Sequence, residues 1–175
     1  NKLTKFNKAE KIIFDQLYKF CAKKNLKLSI CTKNGLSHEK IYRQNLIKGD
    51  WNYIPYVDME KTYEVINESQ MVVFINSTLG IEAMTKKIKG SAFPTHLFPL
   101  KGYAKIYPNE GPFWFCNFVD HNRKGTLEEN IERIMEKVIN YTKIEWEKII
   151  EKYVSDMVEY NEGNSKLIKL AQKYN

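Results

Sequence analysis

The chain predicts an α/β fold with a mostly parallel sheet, and three observations predict it. Strand-like and helix-like stretches alternate from Leu26 to Phe93, the pattern of βαβ units. Met71 to Ile75 (MVVFI) is a short, mostly β-branched apolar run, long enough for a buried strand and too short for a helix. From Thr126 onward the periodicity is helical alone, so helices close the chain. A length of 175 residues suits one domain with a sizeable core. No internal repeat or low-complexity linker divides it, so residues 1–175 read as a single domain.

Lys8 to Lys24 reads as an amphipathic helix, with Ala9, Ile12, Ile13, Leu17, Phe20 and Cys21 at helical spacing. Leu26 to Cys31 (LKLSIC) alternates as a strand does, and Thr32 to Gly35 form the loop at its carboxyl end. Ser37 is placed to cap a helix over 38–47, on which Arg43 reads as surface charge. Lys48 to Val57 is a turn followed by an aromatic strand-like run kept extended by Pro55. Asp58 caps a helix over 59–68, which leads into the MVVFI strand. Gly90 to Phe93 is the next short strand, ended by Pro94.

Thr95 to Lys124 is long, aromatic and irregular, with Pro99, Pro108 and Pro112 excluding helix. A loop of that length is either functional or a cap on the core, held down by Phe113, Trp114, Phe115 and Phe118. Thr126 with Glu129, and Thr142 with Glu145, form capping boxes that open two amphipathic helices. A break at 161–164 precedes a last helix over 165–174.

The formal net charge is +7 and the isoelectric point about 9.1, which suits anionic partners such as nucleotides, nucleic acid or an anionic membrane face. The three cysteines, Cys21, Cys31 and Cys116, are odd in number and widely spaced. They indicate neither a disulfide framework nor a zinc site, Cys21 and Cys31 read as core, and the natural setting is reducing. No apolar run approaches about 18 residues, so nothing is expected to span a membrane. The chain opens on Asn1 almost directly into a helix, and is expected to be a piece of a longer protein.

The chemistry concentrates where MVVFI gives way to Asn76-Ser77-Thr78 and a helical pattern restarts at Leu79 to Met84. In open α/β sheets, ligands bind between a strand's carboxyl end and the next helix. Unpaired N–H groups and the helix dipole there favour an anion, the dipole by about 0.3–1 kcal/mol. Ser77 and Thr78 add hydroxyls, and Gly80 permits close approach of a phosphate to the backbone. The competing reading is that Ser77 simply caps the helix. No GxGxxG, Walker A, GxSxG or HExxH is present, and no Asp-x-Asp pair stands ready to hold a metal against a diphosphate. A bound phosphate would then be met by amides, hydroxyls and Lys or Arg. RNP aromatics and GxxG are missing too, so nucleic acid is not expected as a partner.

The block Ser77-Thr78-Leu79-Gly80-Ile81-Glu82-Ala83, led in by Glu68 to Asn76, resembles the donor-binding motif of GT-B-type glycosyltransferases. It is most similar to that of bacterial capsule and O-antigen biosynthesis proteins. Trp51 to Pro55 with Tyr63, Gly111-Pro112-Phe113-Trp114, and Tyr160-Asn161-Glu162-Gly163-Asn164 look similar to further elements of that group. The resemblance covers roughly Leu26 to Asn175, the carboxyl-terminal half of a GT-B enzyme. It implies a Rossmann-like three-layer α/β/α domain with carboxyl-terminal helices.

By that resemblance Ser77, Thr78 and the Gly80 backbone hold the donor phosphate, and Glu82 accepts hydrogen bonds from the ribose hydroxyls. The loop at Tyr53 and Ile54 contacts the base, and Lys33 and Asn34 stand where related enzymes carry a phosphate-binding element. No cofactor or metal is implied, and the catalytic residues are unassigned. The implied partners are a nucleotide-sugar donor, an amino-terminal GT-B half and a glycan acceptor, with peripheral contact to an anionic membrane from the cytoplasmic side. The implied reaction is metal-independent sugar transfer by the joined halves, this half alone being inactive. Two other readings stay open: half of a nucleotide-sugar epimerase, with Asp58, His96 and Glu110 as its acid–base candidates, or a non-catalytic α/β binding or scaffold domain.

Overall fold

The computed structural model describes residues 2–32, 40–41, 44–45, 49–54, 59–75, 77–95, 110–115, 124–155 and 157. The element order is α1 (Lys2–Lys24), β1 (Ser29–Cys31), β2 (Asn52–Ile54), α2 (Met59–Glu68), β3 (Val72–Phe74), α3 (Thr78–Thr85), β4 (Gly90–Ala92), α4 (Leu127–Asn140) and α5 (Lys143–Tyr153). The fold is α/β with parallel strand pairing, compatible with a Rossmann-like α/β/α domain. The strands fall into two parallel pairs. Ser29, Ile30 and Cys31 stand opposite Asn52, Tyr53 and Ile54, and Val72, Val73 and Phe74 stand opposite Gly90, Ser91 and Ala92. Of the predicted helix over 38–47, residues 40–41 and 44–45 are described and are helical; the caps Ser37 and Asp58 and the chain beyond 157 lie outside the described residues.

Helix α1 holds the two pairs in one body because it is apolar on two sides. Ile13 and Phe20 enter the main core, beside Phe74, Met84, Phe113 and the apolar face of α4. Phe14 and Cys21 enter a smaller cluster with Leu28 and Ile30 of the first strand pair. Leu17 and Leu26 pack against both clusters. At the polar edge of the α1–α4 contact, Lys24 pairs with Glu136 at 2.7 Å and Lys23 with Glu132 at 2.9 Å. These pairs are solvent-exposed in part and add little beside the apolar contact.

Cys31 departs from the expected core position. In β1 only Ile30 is buried, while Ser29 and Cys31 are exposed. Side chains alternate along a strand, so burying Ile30 and Leu28 turns Cys31 outward. Cys21 is buried as expected, and burial pushes its thiol up from its ordinary value.

The described aromatic residues of the long loop are core. Trp114 bridges to Ala92 in parallel register, and the chain doubles back so that Glu110 bridges Phe115. Phe113, Trp114 and Phe115 are all buried. Phe113 packs edge-on against Trp114, with centroids 4.8 Å apart, and against Trp146 of α5 at 6.0 Å. The GPFW glycine is required by packing: a Cβ on Gly111 would lie 2.1 Å from the Trp114 indole.

Both capping boxes form. Thr126 Oγ1 accepts from the Glu129 amide at 3.2 Å, and the Thr126 amide donates to Glu129 at 2.7 Å. The same reciprocal pair joins Thr142 and Glu145 at 3.2 and 2.8 Å. The amide donors hold both carboxyls below their ordinary range.

Helix α3 packs on β3 through Gly80. A Cβ there would lie 2.1 Å from Cγ of Phe74, well inside contact distance. Alanine is the better helix former by about 1 kcal/mol, so propensity and packing point in opposite directions. We expect packing to win: Gly80→Ala should lower stability in urea unfolding by about 1–3 kcal/mol, the usual range for overpacking. A variant as stable as the wild type would show that Phe74 can move aside.

Candidate functional site

The turn between β3 and α3 carries the strongest candidate. Ser77 is the N-cap of α3, with extended backbone (φ −122°, ψ 129°), yet its side chain makes no capping hydrogen bond. The local competitor for its hydroxyl, an amide of the first helical turn, is therefore not engaged by it. Ser77 is half-buried and Thr78 exposed, so both stand within reach of solvent. The N–H groups of Thr78, Leu79 and Gly80 fall in the first turn, where a helix has no internal acceptor for them. Gly80 contributes in two ways: its missing side chain seats Phe74, and its amide belongs to that turn.

Glu82 follows one helical turn later and is half-buried. The Tyr63 hydroxyl, reaching across from α2, donates to Glu82 Oε2 at 2.5 Å. The ammonium of Lys86 stands over the Tyr63 ring, 4.5 Å from its centroid. Thr85 Oγ1 donates to the Glu82 carbonyl at 2.7 Å. The hydrogen bond to Glu82 pushes the Tyr63 phenol up to about 12, with burial and the neighbouring negative charge acting the same way. Losing the proton would break the bond and place two anions side by side.

The other expected site residues lie elsewhere. Tyr53 and Ile54 are on β2, in the first strand pair, and both are half-buried. Tyr53 Oη shares a 3.0 Å hydrogen bond with Thr32 Oγ1, and Lys40 Nζ is 5.8 Å from its ring centroid. Lys33 and Asn34 lie outside the described residues, as do Asp58, His96 and the Tyr160 to Asn164 element. Glu110 is exposed and pairs with Arg133 at 2.7 Å. Among the described residues, no three His, Cys, Asp or Glu side chains gather so as to hold a metal ion. No helix of the described residues is long and apolar enough to cross a membrane.

Sequence reasoning placed Tyr63 only as a spacing landmark and did not pair it with Glu82. Nineteen positions separate the two residues, and no local periodicity links helices on either side of a strand. Lys86 was missed for the same reason.

The pairing has a measurable signature. Ultraviolet difference titration of the wild type against Tyr63→Phe should show one phenol ionising near pH 12, shifted back toward 10 by Glu82→Gln. The folded value lies above the unfolded one, so the stabilisation is whole below about pH 10 and fades as pH rises through about 12. A Tyr63 that ionises near 10 in the wild type would disprove the bond in solution.

Comparison with known proteins agrees with surface-carbohydrate biosynthesis at a coarser level than a donor site. No curated protein and no solved structure matches the chain. One family does, over residues 2–175: Lept_O_ant_chp1, described as "putative O-antigen biosynthesis protein". Because that match runs nearly end to end, the chain belongs to this O-antigen biosynthesis family.

Proposed function

We propose that the chain is the donor-binding half of a metal-independent GT-B-type glycosyltransferase that builds a bacterial surface polysaccharide. The observation that carries this reading is the β3–α3 turn: an N-cap serine whose side chain makes no capping bond, an exposed threonine and first-turn amides for which the helix has no internal acceptor, at the carboxyl end of a parallel strand. Membership in an O-antigen biosynthesis family supports the biological setting. In this reading the amides and the Ser77 and Thr78 hydroxyls hold the donor phosphate, and Glu82, about one turn or 5 Å further along, accepts from the ribose. Tyr53 and Ile54 contact the base, and Lys33 and Asn34 add positive charge and donors toward the phosphates.

The chemistry asked of this half is modest. Breaking the bond between sugar and phosphate leaves negative charge on the departing nucleotide, and preorganised amides at a helix end stabilise it without reorganising. The acceptor and the group that takes its proton come from the second half of the enzyme, which closes over the donor and orients the two reactants. The glycan acceptor is held near the cytoplasmic membrane face, to which the basic surface of this chain is attracted.

A thermal-shift panel with CMP, UDP, GDP and their sugars tests the assignment. At least one nucleotide should raise the melting temperature, by the equivalent of about 2.7 kcal/mol at a hundred times its dissociation constant. Ser77→Ala and Glu82→Ala should each weaken that nucleotide about tenfold or more, the loss of one hydrogen bond to a charged group. Absence of any shift across the panel would return the chain to the class of binding or scaffold domains.

A further inference from the structure

We infer that Tyr63 is a positioning residue that fixes the Glu82 carboxylate for ribose recognition and so sets discrimination between ribo- and deoxyribonucleotides; this rests on the donor-site reading above. Glu82 lies on an α3 face that meets α2, and a glutamate side chain has three rotatable bonds to settle. The Tyr63 hydroxyl engages Oε2 at 2.5 Å and removes that freedom. A carboxylate offers about four acceptor positions, so one phenol donor leaves capacity for a pair of vicinal hydroxyls.

The tyrosine is itself held. It is half-buried on α2, and the Lys86 ammonium covers its ring at 4.5 Å. Lys86 comes one turn after Glu82 on the same side of α3, so the three side chains form a ladder of lysine, tyrosine ring and carboxylate. The order matters chemically. A lysine bonded directly to Glu82 would compete as a strong multiple donor for the oxygens that a ribose needs. The phenol is a single donor, and like any tyrosine it is protonated through the neutral range, so it holds one oxygen without cancelling the charge. A pre-set acceptor loses less rotamer freedom when ligand arrives.

The test compares the wild type, Tyr63→Phe and Glu82→Gln by calorimetry with CMP, UDP and GDP and with their 2′-deoxy counterparts. Tyr63→Phe keeps the ring and its contact with Lys86, so it is the mild variant; Glu82→Gln keeps the side-chain shape and an acceptor for the phenol. For the nucleotide that binds, the wild type should prefer the ribo form, and Tyr63→Phe should lower that preference by about fivefold or more while leaving the deoxy form within about twofold, as expected when a polar contact is specific to the hydroxyl. Glu82→Gln should reduce the same preference. A Tyr63→Phe protein that melts lower yet keeps the full ribo preference makes Tyr63 a tie between helices and overturns the inference, while the donor site stands. If no nucleotide binds the wild type, the donor-site reading and the inference fall together.

Discussion

The seating of the Phe74 ring against Gly80 is the contact on which the arrangement of the turn depends. Phe74 is the last residue of β3 and is buried. Its ring occupies the space in which any other residue at position 80 would place a Cβ. Burying a phenylalanine contributes about 1.5–3 kcal/mol, more than the roughly 1 kcal/mol that glycine costs a helix interior. The balance favours a helix that starts immediately after the strand and lies close on it. That closeness leaves no long connection in which the polar residues could fold back on themselves. Ile81, Ala83 and Met84 then lock the inner side of α3 into the core, while Thr78 stays outside and Glu82 faces α2.

The turn inherits its rigidity from further away. Helix α1 feeds one side into the main core and the other into the cluster with Leu28 and Ile30, so the two strand pairs are related through one element. On the opposite flank, Trp146 of α5 donates its indole N–H to the Ile88 carbonyl at 3.1 Å, and Lys89 reaches the Ile139 carbonyl at 2.6 Å. Both bonds pin the connection from α3 to β4. The buried face of α4 carries Ile131, Ile134, Met135 and Val138 with almost no exposed surface. A turn bounded by such packing keeps its shape better than one made between loops.

Much of this was legible along the chain, for identifiable reasons. The α4 and α5 boundaries were readable because Thr126 with Glu129 and Thr142 with Glu145 solve a local problem, the unpaired amides of a helix start, using residues three apart. The strand at MVVFI was readable from its β-branched run. Cys31 was misplaced because its apolar character was weighed above its position: the alternation of LKLSIC puts it on the face of Lys27 and Ser29, opposite Leu26, Leu28 and Ile30. Gly80 and Gly111 were visible as glycines, but the rings that need them, Phe74 and Trp114, are found only once the chain has folded. The Tyr63–Glu82 bond has no sequence signal at all, since it joins two helices through tertiary packing.

In the proposed donor site, a carboxylate one turn from the phosphate poses an apparent conflict in the chemistry. A phosphate at the head of α3 and Glu82 repel each other, by about 1 kcal/mol for unit charges 4 Å apart in water and more where solvent is excluded. The conflict eases if the two groups serve different parts of one ligand. First-turn amides and hydroxyls donate, so they suit phosphate oxygens; Glu82 only accepts, so it suits hydroxyls. On the proposed reading, the ligand carries negative charge and, about one helical turn away, vicinal hydroxyls, as a nucleotide does and an inorganic anion does not. In the proposed site the Glu82 charge works against simple anions and against acidic side chains of other proteins, and the proposed selectivity comes as much from what the carboxylate repels as from what the amides attract.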